Sequence, residues 1–199
     1  GKLFVRFPSF QKAGAAAYKP GLDNMLFFDS LAGHPHHKYR IIHVAGTNGK
    51  GSVSNMLASV LAAAGFKVGL YTSPHILDFR ERMRVVDNVG VRMVSKEYIW
   101  DFVNRWQETF DHLDMSFFEI TTVMALSWFA ESEVDWVVLE TGLGGRLDST
   151  NIVTPVLSVI TNIGLCHLEN LIDRDGILKA KTEMFDFAAP DAKYILNGD

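Results

Sequence analysis

Apolar residues fall along this chain in two alternating rhythms, short unbroken runs and longer stretches with a period of 3.6, and the alternation predicts the elements. Ile41 to Ala45 is a short apolar run that reads as a buried strand. From Ser52 to Ala64, Val53, Met56, Leu57, Val60, Leu61 and Ala64 follow helical spacing, and Gly65 stands where a C′ glycine ends a helix. Lys67 to Thr72 reads as the next strand. Ser95 to Leu113 reads as a second helix, with Ile99, Phe102, Val103, Trp106, Phe110 and Leu113 on one face. Ser116-x-x-Glu119 has the spacing of a capping box for a third helix through Ala130. Val134 to Glu140 and Val156 to Thr161 read as strands, Ile177 to Phe187 as a helix and Tyr194 to Leu196 as a last strand. Ahead of these, Phe10 to Ala17 is rich in small residues. Leu22 to Leu31 predicts a short helix with Leu22, Met25, Leu26 and Asp29 at helical spacing, and Gly33 to His37 a loop.

Strands alternating with helices predict an α/β domain with a mostly parallel sheet flanked by helices. Ligands of such sheets bind at the carboxyl ends of the strands, which directs attention to the segments after Ala45, Thr72, Glu140 and Thr161. Composition adds limits. The 199 residues, 48% hydrophobic and 21% charged, suffice for a sizeable core in one large domain. A net charge of -4 gives no global attraction to nucleic acid or anionic membrane, and no basic patch with interleaved aromatics supports a nucleic-acid role. No apolar run is long enough to span a bilayer and no signal peptide is evident, so no membrane association is expected. The single cysteine, Cys166, has no partner for an internal disulfide, which fits a reducing cytosol and a cytoplasmic location.

Chemistry concentrates at the strand ends. His43-Val-Ala-Gly-Thr-Asn-Gly-Lys-Gly-Ser52 misses the strict G-x-x-x-x-G-K-[ST] phosphate-loop pattern: Val44 stands at the first glycine position and Gly51 follows the lysine. Its context is nevertheless right. Glycines 46, 49 and 51 let backbone N–H groups turn inward, a helix begins directly afterwards, and Lys50 supplies a mobile cation. The plainer alternative is a tight turn with a solvated lysine. At the next strand end, Thr72-Ser-Pro-His75 offers hydroxyls of the kind that reach Mg²⁺, or a plain turn. Glu140 ends an apolar strand beside the loop, the placement by which many nucleotide-hydrolysing proteins hold Mg²⁺, and Gly142 to Asp148 then forms a flexible loop.

Other candidates are more evenly balanced. His167 lies just past the fourth strand end. Lys181 sits between Lys179 and Glu183, an i, i+4 pair, and reads from composition as part of a solvated helix face. Cys166 has no evident activating partner for a nucleophile's role. His34, His36 and His37 suggest either a metal site or, more simply, a surface loop. Asp78-Phe-Arg-Glu-Arg-Met-Arg84 carries three arginines, suited to an anionic substrate or to surface ion pairs.

Taken together, His43 to Ser52, Tyr71-Thr-Ser-Pro-His75, Asp78-Phe-Arg-Glu-Arg82, Phe117-Phe-Glu119 and Glu140-x-Gly-Leu-Gly-Gly-Arg-Leu-Asp-x-Thr-Asn151 resemble the folylpolyglutamate synthase/dihydrofolate synthase branch of the Mur ligase superfamily. The resemblance runs from about Gly14 to Ile163. It implies a P-loop ATPase domain and a ligase that joins L-glutamate to dihydropteroate or folate through an acyl phosphate. It implies that Gly46, Thr47, Asn48, Gly49, Lys50, Gly51 and Ser52 cradle ATP, with Lys50 on the terminal phosphates. It places one Mg²⁺ on Ser73 and Glu140 and a second on His167. It matches Lys181 to the lysine that the superfamily carbamylates, so that Lys50, His167 and Lys181 carry the catalytic roles. A full-length enzyme of this kind is expected to be a monomer acting on small molecules.

The tail departs from that branch. Folate-branch enzymes usually have Asp-His then Thr where this chain has Cys166, His167 and Leu168, and Glu-Lys-Ala-Gly-Ile where it has Ala180-Lys-Thr-Glu-Met-Phe185. From about Cys166 onward the text resembles the peptidoglycan ligases, especially the D-alanyl-D-alanine-adding type. A peptidoglycan ligase and a non-catalytic ATP-binding module are therefore the alternative readings. Residues 1–199 are expected to be an N-terminal and central ATP-binding domain that is incomplete. The C-terminal domain for the amino substrate is expected to be absent, and the isolated chain is expected not to ligate.

Overall fold

The computed structural model describes residues 21–142, 144, 147–163 and 188–197. The predictions for Phe10 to Ala17, Cys166, His167, Lys179, Lys181, Glu183 and the helix Ile177 to Phe187 lie outside the described residues. In chain order the elements are α1 (Asp23–Leu31), a 3-10 turn (Pro35–Lys38), β1 (Arg40–Ala45), α2 (Lys50–Ala63), β2 (Val68–Tyr71) and a second 3-10 turn (Phe79–Arg82). There follow β3 (Met83–Asp87), β4 (Gly90–Met93), α3 (Lys96–His112), α4 (Phe117–Glu131), β5 (Trp136–Glu140), a third 3-10 turn (Ser149–Ile152), β6 (Leu157–Ile160) and β7 (Lys193–Leu196).

The strands form one seven-stranded sheet in the order β4-β3-β2-β5-β1-β6-β7. From β2 to β7 every pairing is parallel, with Val44 opposite Glu140 on one side and Val159 on the other. Strand β1 is therefore central, and its carboxyl end lies between those of β5 and β6. The β3–β4 hairpin extends the sheet antiparallel to β2 and has no counterpart in the sequence reading, which places no element between Thr72 and Ser95. Its turn is set by Asp87, whose Oδ1 accepts from the N–H groups of Val89 at 2.9 Å and Gly90 at 3.1 Å.

The pleat divides the core. Ile42, Val44, Val68, Leu70, Val138 and Val159 face α2, whereas Ile41, Tyr71, Val137 and Leu139 face α1, α3 and α4. Helix α4 is buried on nearly every side, and its capping box forms as expected: Ser116 Oγ accepts from Glu119 N–H at 3.2 Å, and Glu119 Oε2 accepts from Ser116 N–H at 2.7 Å. Gly69 lets this helix lie close, since a Cβ there would stand 2.7 Å from the Phe129 ring and 3.0 Å from Val137.

Two helices bury a different stripe from the one predicted. In α2 the fully buried residues are Ser54, Ala58 and Ala62, flanked by half-buried Val53, Leu57 and Leu61, while Met56 and Val60 are exposed. Small residues bring the helix axis near the sheet, and that contact outweighs the larger apolar stripe. In α1, Phe28 is buried and Leu26 exposed, because Phe28 joins Phe102, Trp106 and Phe110 in an aromatic cluster. His34 and His37 are exposed, as in the surface loop expected, whereas His36 is buried. The Nδ1 atoms of His34 and His36 lie 2.6 and 2.8 Å from the two oxygens of buried Asp29, so these two anchor the turn after α1. Among the described residues no group of His, Cys, Asp and Glu is arranged to hold a metal ion, and no helix is long and apolar enough to cross a membrane.

Candidate functional site

The site is built where β1, β2, β5 and β6 end. After Ala45 the chain turns through Gly46 (φ +144°) to Gly49 (φ +76°), which caps α2 in the left-handed conformation. The helix begins at Lys50, two residues earlier than the apolar period indicates, so Lys50, Gly51 and Ser52 form its first turn. The first helical hydrogen bond runs from Val53 N–H to Gly49 O at 2.9 Å. The N–H groups of Gly49 to Ser52 precede that ladder and point along the positive end of a 14-residue helix, the arrangement that favours a bound anion.

The loop is clamped from β6. Thr161 Oγ1 and Asn162 Nδ2 donate to Asn48 O at 2.7 and 2.9 Å, and Asn48 N–H donates to Asn162 Oδ1 at 2.9 Å. Thr47 N–H donates to Asn162 O at 3.2 Å. Gly46 is required here for space as well as for φ, because a Cβ would overlap the Thr161 hydroxyl. Lys50 folds back over the loop and donates from Nζ to Gly46 O at 3.0 Å and Thr47 O at 3.3 Å.

Glu140 faces this first turn. A Cβ on Gly51 would lie 3.7 and 4.0 Å from its two carboxylate oxygens. The side chain is 3% exposed, and burial raises its pKa above the ordinary carboxylate value. The opposing influences are the Ser73 N–H, which donates to Oε2 at 3.0 Å, and the cations Lys50, Arg82 and Arg84. Ser73 follows β2 and precedes a cis peptide bond to Pro74. The structure thus brings Gly46 to Ser52, Ser73 and Glu140 to one place. The oxygen donors Ser73 and Glu140, with phosphate expected beside them, fit a hard cation such as Mg²⁺.

The three arginines of Asp78 to Arg84 have separate fates. Arg80 is a surface group paired with Asp78 at 2.9 Å. Arg82 is buried, donates from Nε to His75 Nδ1 at 2.8 Å and lies over the Phe117 ring, and burial lowers its pKa. Arg84 reaches from β3 to Asn55 on α2 and to Thr72, and burial lowers its pKa as well. Neither Arg82 nor Arg84 has a carboxylate within ion-pair distance among the described residues.

Sequence reasoning overlooked two groups. Thr161 and Asn162 clamp the loop, and their position just past a strand end is the signal that would have found them. Beneath the site, His43 Nε2–H donates to Thr150 Oγ1 at 2.8 Å, and that hydroxyl donates to Asp148 Oδ1 at 2.7 Å. Asp148 also accepts from Gly144 N–H at 2.9 Å, which ties the glycine loop after β5 to the strand that leads into Gly46. Complete burial lowers the His43 pKa to about 4, against the opposing field of Asp148, so the imidazole is neutral at pH 7. No periodicity announces this chain of partners, because His43 lies 107 residues from Thr150 in sequence.

Comparison with known proteins shows the family and the fold. Residues 44–199 match the Mur ligase middle domain. A dihydrofolate synthase/folylpolyglutamate synthase of Bacillus subtilis is 45% identical over 160 residues, covering 77% of this chain and 36% of the relative. The structure of Escherichia coli FolC in complex with DHPP and ADP superposes with a TM-score of 0.76 at 33% identity, covering 92% of this chain and 43% of that one. Mycobacterium tuberculosis folylpolyglutamate synthase complexed with ADP gives a TM-score of 0.80 at 30% identity, covering 91% and 42%. The chain spans about a third of the length of the curated relatives it matches.

Proposed function

The chain belongs to the Mur ligase family, and from that premise we propose that it forms the nucleotide-binding part of an ATP-dependent ligase joining L-glutamate to dihydropteroate or a folate. The observation that carries the reading is the meeting of a glycine loop, a helix N-terminus and Lys50 with the buried carboxylate of Glu140 beside Ser73. In such a reaction an acceptor carboxylate attacks the terminal phosphate of ATP and expels ADP, and the glutamate amine then displaces inorganic phosphate from the acyl phosphate, losing a proton to form the amide. The chain's own part is electrostatic and positional. The N–H groups of Gly49 to Ser52 receive phosphate oxygens, and Lys50 leaves the carbonyls of Gly46 and Thr47 to reach the terminal ones. The Thr161 and Asn162 clamp holds the loop in shape while it does so. Ser73 and Glu140 would hold Mg²⁺, which when bound neutralises phosphate charge.

By resemblance, His167 would hold a second Mg²⁺ and Lys181 would be carbamylated. The folate acceptor is preferred to a peptidoglycan precursor because the Bacillus subtilis relative is a dihydrofolate synthase/folylpolyglutamate synthase.

The deciding experiment is a calorimetric titration of the chain with Mg-ATP beside Lys50→Ala. Saturable binding that the substitution weakens at least about tenfold, the worth of one charge-assisted contact to phosphate, supports the reading. Absence of binding in the unsubstituted chain, or equal binding by both, refutes it.

A further inference from the structure

We infer that Arg84 is a positioning residue that sets the distance between the two halves of the nucleotide site. The inference rests on the nucleotide reading above. Arg84 stands on β3 opposite Leu70, so its side chain lies on the α2 face of the sheet. Its Nη1 donates to Asn55 Oδ1 at 3.0 Å, and Asn55 Nδ2 in turn donates to Gly51 O at 2.7 Å. Its Nη2 donates to Thr72 Oγ1 at 3.1 Å, one residue before Ser73. A single planar guanidinium thereby joins the first turn of α2 to the end of β2. Between those two points stands Glu140, which accepts from Ser73 N–H and faces Gly51. The bracket runs from the backbone carbonyl of Gly51 through the side chains of Asn55 and Arg84 to the Thr72 hydroxyl, and spans the gap in which the Glu140 carboxylate stands.

A purely structural brace would be built differently. Nε of Arg84 is buried without a hydrogen-bond partner among the described residues. A donor left in that state is unfavourable. The cation also has no carboxylate at ion-pair distance among the described residues, and burial disfavours its charged form against the smaller opposing fields of Glu81 and Glu140. A methionine of similar length fills the same space without either cost. What methionine lacks is the planar fork that fixes two hydroxyl- and amide-bearing partners at a set separation. The guanidinium is therefore kept for the geometry it imposes on Ser73 and Gly51.

The test separates the metal-dependent part of nucleotide binding from the rest. ATP is titrated into the chain with Mg²⁺ and, separately, with EDTA, for the unsubstituted protein, Arg84→Met, Arg84→Lys and Asn55→Ala. Asn55 is exposed, so its replacement cuts the bracket without disturbing the core. The expected result is a Kd with Mg²⁺ weakened about tenfold in all three variants, the worth of one charge-assisted hydrogen bond, with the Kd in EDTA changed less than about twofold. Thermal unfolding of Arg84→Met is expected at or above that of the unsubstituted chain. A parallel loss with Mg²⁺ and with EDTA, or no loss in either, overturns the role of Arg84 while leaving the nucleotide reading intact. Absence of ATP binding by the unsubstituted chain overturns both.

Discussion

Gly46 and Thr161 should behave as one unit in a double-mutant cycle. In Gly46→Ala the new Cβ overlaps Thr161 Oγ1 and lies 3.1 Å from both Cβ and the backbone nitrogen of Thr161. The threonine must rotate away, which breaks its 2.7 Å bond to Asn48 O at a cost of about 1 kcal/mol. The residual crowding adds about 1–3 kcal/mol. A φ of +144° on a residue with a Cβ adds about 1–3 kcal/mol more. The single substitution is therefore expected to destabilise by about 3–7 kcal/mol.

Thr161→Ala alone removes the same hydroxyl. Asn48 O keeps its bond from Asn162 Nδ2 at 2.9 Å, so nothing is orphaned and the loss is about 1 kcal/mol. In the double variant the overlapping atom is gone and the broken hydrogen bond is counted once. The two changes should then couple favourably by about 1 kcal/mol, the hydrogen bond that both single variants lose, with the remainder set by φ and by the 3.1 Å contacts. Urea unfolding with linear extrapolation measures all four corners, and coincident transitions by fluorescence and circular dichroism check that the comparison is two-state. Additivity within about 0.5 kcal/mol would show that the Thr161 hydroxyl is not what holds Gly46 as glycine.

Gly69→Ala should destabilise by about 1–3 kcal/mol through contact with Phe129 and Val137, read by thermal unfolding, while ATP affinity is kept because α4 packs on the face opposite α2. Glu140→Gln should raise the melting temperature of the metal-free chain at pH 7: a buried acid with a raised pKa loses stability as pH rises through that value, and the amide has no such charge. The same variant should lose the Mg²⁺-dependent gain in ATP affinity, so a fall in stability without that loss would contradict the assignment. His43 has a pKa lowered from 6.5 to about 4, so the folded state takes up fewer protons than the unfolded one. Its contribution is complete above about pH 6.5 and is lost as pH falls toward 4, and His43→Gln should flatten the stability profile in that window relative to the unsubstituted chain. An unchanged slope would show that the imidazole is not neutral in the fold.

The parallel part of the sheet and the helices α3 and α4 were legible because periodicity and local caps agree there. Ser95 and Ser116 accept from Tyr98 and Glu119 N–H as their spacing suggests, and the buried aromatics of α3 lie on the face that the pattern marks. The β3–β4 hairpin was not legible because Met83 to Met93 mixes buried and exposed positions, with β4 exposed throughout, so neither period is sustained. The stripe of α2 was misread for a different reason: Ser54, Ala58 and Ala62 carry little hydrophobicity, yet they decide how near the helix approaches the sheet. Among the site residues, Gly46 to Ser52 and Glu140 could be proposed from their place at strand ends, whereas Ser73 was singled out by the family resemblance. Of the partners that fix them, Thr161 and Asn162 share the strand-end signal, whereas the pairing of Arg84 with Asn55 and Thr72 joins residues distant in sequence and leaves no local signature.

The departure of the loop from the strict phosphate-loop pattern has a structural counterpart. In that pattern the hydroxyl after the lysine serves the metal. Here Gly51 holds that position, and a Cβ on it would enter ordinary contact with the Glu140 carboxylate, so a serine side chain there would stand between the carboxylate and the phosphates. On the nucleotide reading Ser73 would supply that hydroxyl instead, from the end of β2, on a segment whose N–H already donates to Glu140. Moving the hydroxyl from the loop to a neighbouring strand makes the metal site depend on the separation of two elements that are not joined in sequence. A site divided in this way needs a tie between its halves, and Arg84, with Asn55 and Thr72, is the tie that the structure contains.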